Sequence, residues 1–145
     1  MNVKLKFSFI VLFFISYLSA DELTINLSGQ TKAGMLSLAV YDSAESYDYS
    51  VTGEKRDEAG VFAGIESFIE PKKMHKFTMT LPEGKYAIAL FIDKNKNNKI
   101  DKNFIGIPKE QFGFSNNAMG KLSAPSFEKA MFEVKGNTIQ NIELK

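Results

Sequence analysis

The chain has 145 residues, a formal net charge of +1 and no cysteine. This near-neutral balance argues against a nucleic-acid-binding protein and against an electrostatic membrane binder. Without cysteine the chain has no disulfide, no thiol nucleophile and no thiolate metal site, so its core alone must hold it together.

Residues 1–20 have the layout of a secretory signal peptide. Lys4 and Lys6 precede an apolar run of about twelve residues, and a small residue stands before Asp21 at the expected cleavage point. A membrane span needs about 20 apolar residues, so we expect removal of this segment and no stable membrane anchor. The mature chain, 21–145, then forms a single domain of charge −1, because the removed segment holds two lysines and no acid. We therefore expect a periplasmic or secreted protein.

Alternating apolar and polar residues predict strands in the first half of the mature chain. The segments 23–28 and 35–42 both alternate, and the turn residues between them indicate that they pair as a hairpin. The polar stretch 43–60 is typical of a surface excursion that can include a helical turn. A further strand is predicted over 61–70.

The segment 85–92 predicts the central strand, because apolar side chains occupy both of its faces and both must be covered. A strand over 77–81 precedes it across a turn that contains Pro82 and Gly84. A last hairpin is predicted over 130–144.

These elements predict an all-β protein, an antiparallel β-sandwich of about seven short strands. A barrel is the main alternative. The segment 93–126 is too long for an ordinary connection and too apolar for a disordered one. We expect it to fold back as a long closing loop over one end of the sandwich.

The stretch DKNKNNKID at 93–101 is the first candidate for site chemistry. Compared with an EF-hand calcium loop, five residues take ligand positions, the fourth through its carbonyl: Asp93, Asn95, Asn97, Lys99 and Asp101. The twelfth position, which should be a bidentate glutamate, is Phe104, although Glu110 or Asp42 could supply the missing carboxylate. Lysines outnumber the carboxylates here, so calcium should bind with a Kd of about 10⁻⁴ to 10⁻³ M at best. The alternative is a metal-free loop in which Asp and Asn side chains accept hydrogen bonds from nearby amides.

The residues after this loop predict a surface for an envelope or extracellular ligand or protein. The candidate contacts are Glu110, Phe112, Phe114, Asn116 and Asn117. In this interpretation the phenylalanines form the floor of a shallow site and the asparagines make its polar contacts. In the alternative the phenylalanines cover the core.

Catalysis has little support in the sequence, so we expect a non-enzymatic protein. His75 is the only histidine and lies in a lysine-rich turn, and neither G-x-S-x-G nor H-E-x-x-H occurs. The enzymatic alternative is a small carbohydrate-active hydrolase that uses Asp93, Asp101 and Glu110. A further alternative is a structural module of the cell envelope that is weakly stabilised by calcium, the one cofactor that the sequence suggests.

An ordered series of motifs connects the chain to a known family. The series is VYDS at 40–43, LPEGKYAIA at 81–89, DKNKNNKID at 93–101, FIGIPKE at 104–110, FGFSNNA at 112–118 and PSFEKA at 125–130. With these motifs the chain resembles an exported bacterial family catalogued as domain of unknown function 2141. The resemblance implies a periplasmic or secreted immunoglobulin-like or transthyretin-like sandwich, and it implies no activity. Ile92 stands where similar sequences often carry histidine, and Asn98 where they usually carry glycine.

Overall fold

The computed structural model describes residues 20–53, 56 and 58–145. The predicted signal peptide, apart from Ala20, lies outside the described residues. In chain order the elements are β1 (Ala20–Ser28), β2 (Gly34–Tyr41), α1 (Ala44–Thr52), β3 (Ala63–Ile69), β4 (Met74–Pro82), β5 (Gly84–Asp93), β6 (Phe112–Phe114), α2 (Phe127–Ala130), β7 (Phe132–Val134) and β8 (Thr138–Glu143). Two short 3₁₀ turns lie at Glu58–Gly60 and Ser115–Asn117.

The strands form two sheets that pack as a β-sandwich. One sheet has the order β4-β1-β8, and the other has the order β3-β2-β5-β6 with β7 also paired to β5. The pairs are antiparallel except β1 with β8, which run parallel. The predicted β-sandwich is confirmed, with eight described strands in place of about seven, and these strands form no closed barrel.

The two predicted hairpins are wrong, because their strands belong to different sheets. β1 pairs with β4 and β8, whereas β2 pairs with β3 and β5. Likewise β7 pairs with β5, while β8 pairs with β1. Alternation shows which face of a strand is buried, but it does not show which strand lies beside it. In a sandwich, consecutive strands can bury their apolar faces against each other across the core without sharing a sheet.

The main core fills the space between the sheets. β1, β2 and β5 supply most of it through alternate, fully buried side chains: Leu23, Ile25, Leu27, Leu36, Leu38, Val40, Ile88 and Ile92. Each such side chain stabilises the fold by about 1.5–3 kcal/mol relative to an exposed one.

A second apolar cluster covers the outer face of the larger sheet, so β5 is a central strand covered on both faces, as predicted. Ala39, Tyr41 and Ala87 lie on the sheet, and α1 and α2 pack over them. The expectation of a surface excursion in 43–60 is wrong for α1, which spans nine residues and packs with Tyr47 fully buried. Among the described helices none is long and apolar enough to cross a membrane.

Candidate functional site

Asp93 ends β5 and organises the loop that follows it. Its side chain is 1% exposed. Oδ1 accepts the backbone N–H groups of Lys96 at 2.6 Å and Asn97 at 3.3 Å, and Oδ2 accepts that of Asn98 at 2.8 Å. Lys96 and Asn98 both have a φ of 61°, a region that side chains rarely adopt. The carboxylate therefore stabilises a tight backbone curve.

The other predicted calcium ligands lie together in the same loop. Asn95 Oδ1 accepts the Asn97 N–H at 3.2 Å, and Asn97 Oδ1 accepts the Lys99 N–H at 3.1 Å, which are Asx turns. The amide nitrogens of Asn95 and Asn97 donate to the Asp101 carboxylate at 2.6 and 2.9 Å. If the side-chain amide of either asparagine rotated by half a turn, its oxygen would take the place of its nitrogen next to the Asp101 carboxylate.

The loop geometry leaves calcium as a prediction. Within the described part of the chain, no three His, Cys, Asp or Glu side chains form a group that could hold a metal. A calcium ion here would rely on the Asp101 carboxylate and on amide or carbonyl oxygens, because the Asp93 oxygens already accept three amides. This donor set fits weak binding of a hard cation.

Glu110 closes the base of the loop from outside it. Its side chain is 4% exposed, so it does not offer a contact surface to a partner. Oε1 accepts the Lys94 N–H at 2.8 Å and Oε2 accepts the Asp101 N–H at 3.0 Å. The carboxylate that the sequence predicted to approach the loop does so, and it ties the two ends of the loop together.

A short hairpin follows the loop and ends in an apolar tip, which we define as residues 104–107. Lys109 N–H donates to the Asp101 carbonyl at 2.7 Å, and Asn103 N–H donates to the Ile107 carbonyl at 2.8 Å. Asn103 Oδ1 accepts the N–H groups of Ile105 and Ile107 at 3.0 and 2.9 Å. The tip therefore has a defined backbone, yet its Phe104 side chain is 98% exposed.

The two phenylalanines of β6 serve the core and a surface together. Phe114 is buried, and its ring lies edge-on to Tyr47 at 6.5 Å between centroids. Phe112 is half-buried, with its ring 5.9 Å from that of Phe114. Phe114 therefore covers the second apolar cluster, and the role of both rings as the floor of a ligand site stays a prediction.

Asn116 and Asn117 use their side-chain amides within the fold. Asn116 Nδ2 donates to the Met131 carbonyl at 2.7 Å. Asn117 Nδ2 donates to the Asn141 carbonyl at 3.0 Å, and its Oδ1 accepts the Glu143 N–H at 2.8 Å. These bonds attach the turn after β6 to the neighbourhood of β8. Their predicted role as ligand contacts is untested.

Ser115 is a buried polar residue that sequence reasoning missed. Its Oγ accepts the Ile88 N–H at 2.8 Å and donates to the Ala130 carbonyl. It therefore joins β5 to α2 next to the Phe pair. Nothing in its sequence context separates it from an ordinary turn serine.

A groove of about 770 Å³ lies on the outer face of the larger sheet. Its floor is the sheet itself, with Tyr41, Ala89, Phe91, Phe112 and Phe114. One wall is the end of α1, another is the tip, and a third is the loop 119–125. The sequence placed a candidate binding surface at β6, and it did not indicate that α1 or the loop 119–125 would lie beside it.

The charged residues on the described lining of the groove are all cationic. They are Arg56, Lys99, Lys102 and Lys121. The Arg56 guanidinium donates to Ser37 Oγ at 2.6 Å and lies 5.8 Å from the centre of the Phe91 ring, a cation–π distance. The groove therefore combines an apolar floor with a positive rim.

The three carboxylates of the hydrolase alternative do not line this groove. Asp93, Asp101 and Glu110 are also not on the smaller concavity of about 120 Å³ between Thr31 and Lys109. Two of the three are buried and accept backbone amides. Neither of these two concavities therefore offers the three carboxylates a common cleft in which to act as general acid and base.

Comparison with known proteins finds a family and nothing more specific. A family model described as an uncharacterized protein conserved in bacteria (DUF2141) matches residues 25–142. No curated protein matches the chain, and no solved structure matches it. The matched range begins in β1 and ends in β8, so it includes the loop, the tip and the groove.

Proposed function

Because the chain belongs to the bacterial family DUF2141, whose description names no activity, we propose a function from the groove. The protein is an exported, non-enzymatic module that binds a ligand with an apolar body and an anionic group. The observation that carries this proposal is an apolar groove whose described charged residues are all cationic. The signal-peptide layout of residues 1–20 supports export.

The size and lining of the groove suit a small amphipathic molecule. Its volume of about 770 Å³ lies within the range of about 300–1,000 Å³ that is typical of ligand sites. Covering the rings of Phe91 and Phe112 would contribute about 25 cal/mol for each Å² of apolar surface removed from water. The lysines at the rim and Arg56 would orient the anionic group and disfavour cationic competitors.

The groove is expected to bind 1-anilinonaphthalene-8-sulfonate, an apolar dye with one sulfonate, and to release it to dodecanoate. The double variant Lys99→Gln/Lys121→Gln should weaken dye binding about fivefold, because each exposed ion pair contributes about 0.5 kcal/mol. Fluorescence titration of the folded protein measures both affinities.

Two other lysines give the matched control for the dye experiment. Lys73 and Lys76 are exposed and do not line the groove, so Lys73→Gln/Lys76→Gln should bind the dye like the unaltered protein. Equal losses in both double variants, or no displacement by dodecanoate, would contradict a site in the groove.

Weak calcium binding at 93–101 is the second candidate, since Asn95, Asn97 and Asp101 converge within hydrogen-bonding distance. With a Kd of about 10⁻⁴ to 10⁻³ M, 10 mM calcium should stabilise the protein by about 1.4–2.7 kcal/mol over a chelated sample. Thermal melts with chelator and with calcium measure the shift. Asp101→Ala should abolish it, and an unchanged shift in that variant would exclude this loop as the site.

A further inference from the structure

One end of the molecule concentrates exposed apolar side chains. Of the ten large hydrophobic residues that are exposed in the described chain, five lie within 104–122: Phe104, Ile105, Ile107, Met119 and Leu122. Phe104 is 98% exposed and Leu122 is 103% exposed, so neither contributes to the core. Soluble proteins rarely leave such a group of apolar side chains in water without a binding role.

These side chains come from two separate segments that the fold brings together. Ile105 and Ile107 belong to the tip, whereas Met119 and Leu122 belong to the loop 119–125, and all four line the same groove. The bonds from Asn103 to the backbone of the tip hold it in a fixed curve. The apolar group is thus presented by a defined structure, and we call it, with Phe104, the apolar rim.

Lysines outnumber acidic residues in the segment that carries the apolar rim. The segment 93–122 contains six lysines, at 94, 96, 99, 102, 109 and 121, and three acidic residues. Two of those acids, Asp93 and Glu110, are buried, and all three carboxylates accept hydrogen bonds from amide groups. This end is therefore locally cationic although the whole chain has a formal charge of only +1.

We propose that the apolar rim and its lysines dock reversibly onto an anionic lipid membrane. Phe104, Ile105 and Leu122 enter the boundary between headgroups and acyl chains, and Lys102 and Lys109 lie against the lipid phosphates. An apolar edge with flanking lysines matches a surface that is apolar inside and negative outside. Each lysine near such a surface increases the affinity about fivefold. Because the groove opens between the same side chains, docking places its mouth at the membrane.

Vesicle co-sedimentation tests the proposal. The purified protein is expected to bind phosphatidylcholine vesicles that contain phosphatidylglycerol at least tenfold more tightly than vesicles of phosphatidylcholine alone, and added salt should weaken this binding. Phe104→Ser/Leu122→Ser should reduce the affinity at least tenfold, and Lys102→Gln/Lys109→Gln about fivefold per lysine. No binding to the anionic vesicles, or equal binding to both kinds, overturns the proposal.

Matched substitutions elsewhere on the surface control for a general loss of hydrophobicity or charge. Phe68 and Ile139 are exposed on β3 and β8, and neither lines the groove, so Phe68→Ser/Ile139→Ser should bind vesicles normally. Lys73→Gln/Lys76→Gln serves the same purpose for the lysines. All variants are prepared with the same N-terminal residue, so differences in vesicle binding among them result from the altered side chains. Equal losses in the control variants overturn the proposal.

A fluorescent reporter gives a second readout that does not depend on loss of binding. The chain has no tryptophan, so Phe104→Trp introduces a single indole at the tip. Its emission should shift to shorter wavelength with anionic vesicles and be quenched by lipids with brominated chains. Phe68→Trp should show neither change. An indole at 104 that stays in water while the protein is bound overturns insertion of the tip.

Discussion

Replacing Tyr47 with alanine is expected to lower the free energy of unfolding by about 4 kcal/mol. Tyr47 is fully buried, and it is the only buried residue of α1. Its ring lies edge-on to Tyr41 at 5.7 Å and to Phe127 at 5.8 Å, so truncation leaves a cavity between the helix and the sheet. Urea unfolding monitored by circular dichroism measures the loss. Because α1 forms a wall of the groove, binding of the sulfonate dye should weaken as well.

Tyr47→Phe is the matched control, since it keeps the ring and removes only the hydroxyl. That hydroxyl is buried and has no hydrogen-bond partner among the described residues. Removing an unsatisfied buried donor should leave the stability unchanged or raise it by about 1 kcal/mol. A loss as large as that of Tyr47→Ala would show that the hydroxyl, and not the ring, holds the helix.

The buried Tyr47 hydroxyl should also make the stability of the protein depend on pH in the alkaline range. Burial, with a smaller contribution from the Asp48 carboxylate, raises the pKa of Tyr47 well above its ordinary value of 10.0. The unfolded chain therefore loses this proton first, and stability should fall above pH 10 by up to about 1.4 kcal/mol per pH unit. Burial also raises the pKa of Tyr86. Because Tyr86 is present in the unaltered protein and in Tyr47→Phe, its contribution cancels in the stability difference between them. The stability difference between Tyr47→Phe and the unaltered protein should thus be constant below pH 10 and grow above it, and a difference that does not grow above pH 10 would contradict burial of the hydroxyl.

Asp93→Ala is expected to cost about 3 kcal/mol, because three backbone amides lose a charged acceptor at once. Two of the residues that donate these amides, Lys96 and Asn98, are in left-handed conformations that the carboxylate compensates. The loop should therefore lose its curve, and the tip should lose its fixed position. Denaturant unfolding measures the stability, and hydrogen exchange of the 96–98 amides measures the local effect.

Asp101→Ala is the matched control at the other end of the same loop. Its carboxylate accepts side-chain amides of Asn95 and Asn97 at exposed positions, where water can replace it. The expected cost without calcium is about 1 kcal/mol or less. Equal costs for Asp93→Ala and Asp101→Ala in chelator would contradict a loop organised by Asp93. Equal losses of stability that appear only when calcium is present would instead favour a metal ion bound by both carboxylates.

These expectations connect the loop to the binding surfaces beyond it. Asp93 curves the chain, and Glu110 joins its two ends through the amides of Lys94 and Asp101. The hairpin that carries the tip starts from this closed base. The loop 93–101 therefore forms a fixed base that positions the groove wall and the apolar rim, with or without bound calcium.

Much of the sandwich was predictable because the alternation of apolar and polar side chains indicates which face of each strand is buried. β5 has apolar residues on both faces, and the structure covers one face with the other sheet and the other face with α1 and α2. The same alternation could not identify partners. It led to two hairpins that do not exist and missed the parallel pairing of β1 with β8, since strands far apart in the chain meet there.

The candidate site also combines features that local sequence predicts with features that only contacts distant in sequence create. The Asp and Asn residues of 93–101 act on neighbours within a few positions, so their turns could be inferred from their spacing. Glu110 was expected to approach the loop, but the sequence did not show that it would be buried and would join the two ends of the loop. Arg56, Tyr47 and the loop 119–125 were not foreseen, because their importance arises from contacts with residues distant in sequence.

By itself the sequence determined the β-sandwich class, the central strand, the family resemblance and the compact turns of the loop. These follow from local patterns, in which each residue acts on near neighbours or on one face of its own strand. Only the tertiary structure decided which strands pair, where the groove lies and how charge is distributed. The net charge counts every lysine equally, whereas the fold buries two carboxylates and gathers lysines and apolar side chains at one end. Proximity among residues distant in the chain is a property of packing, and it is there that the proposed binding surfaces arise.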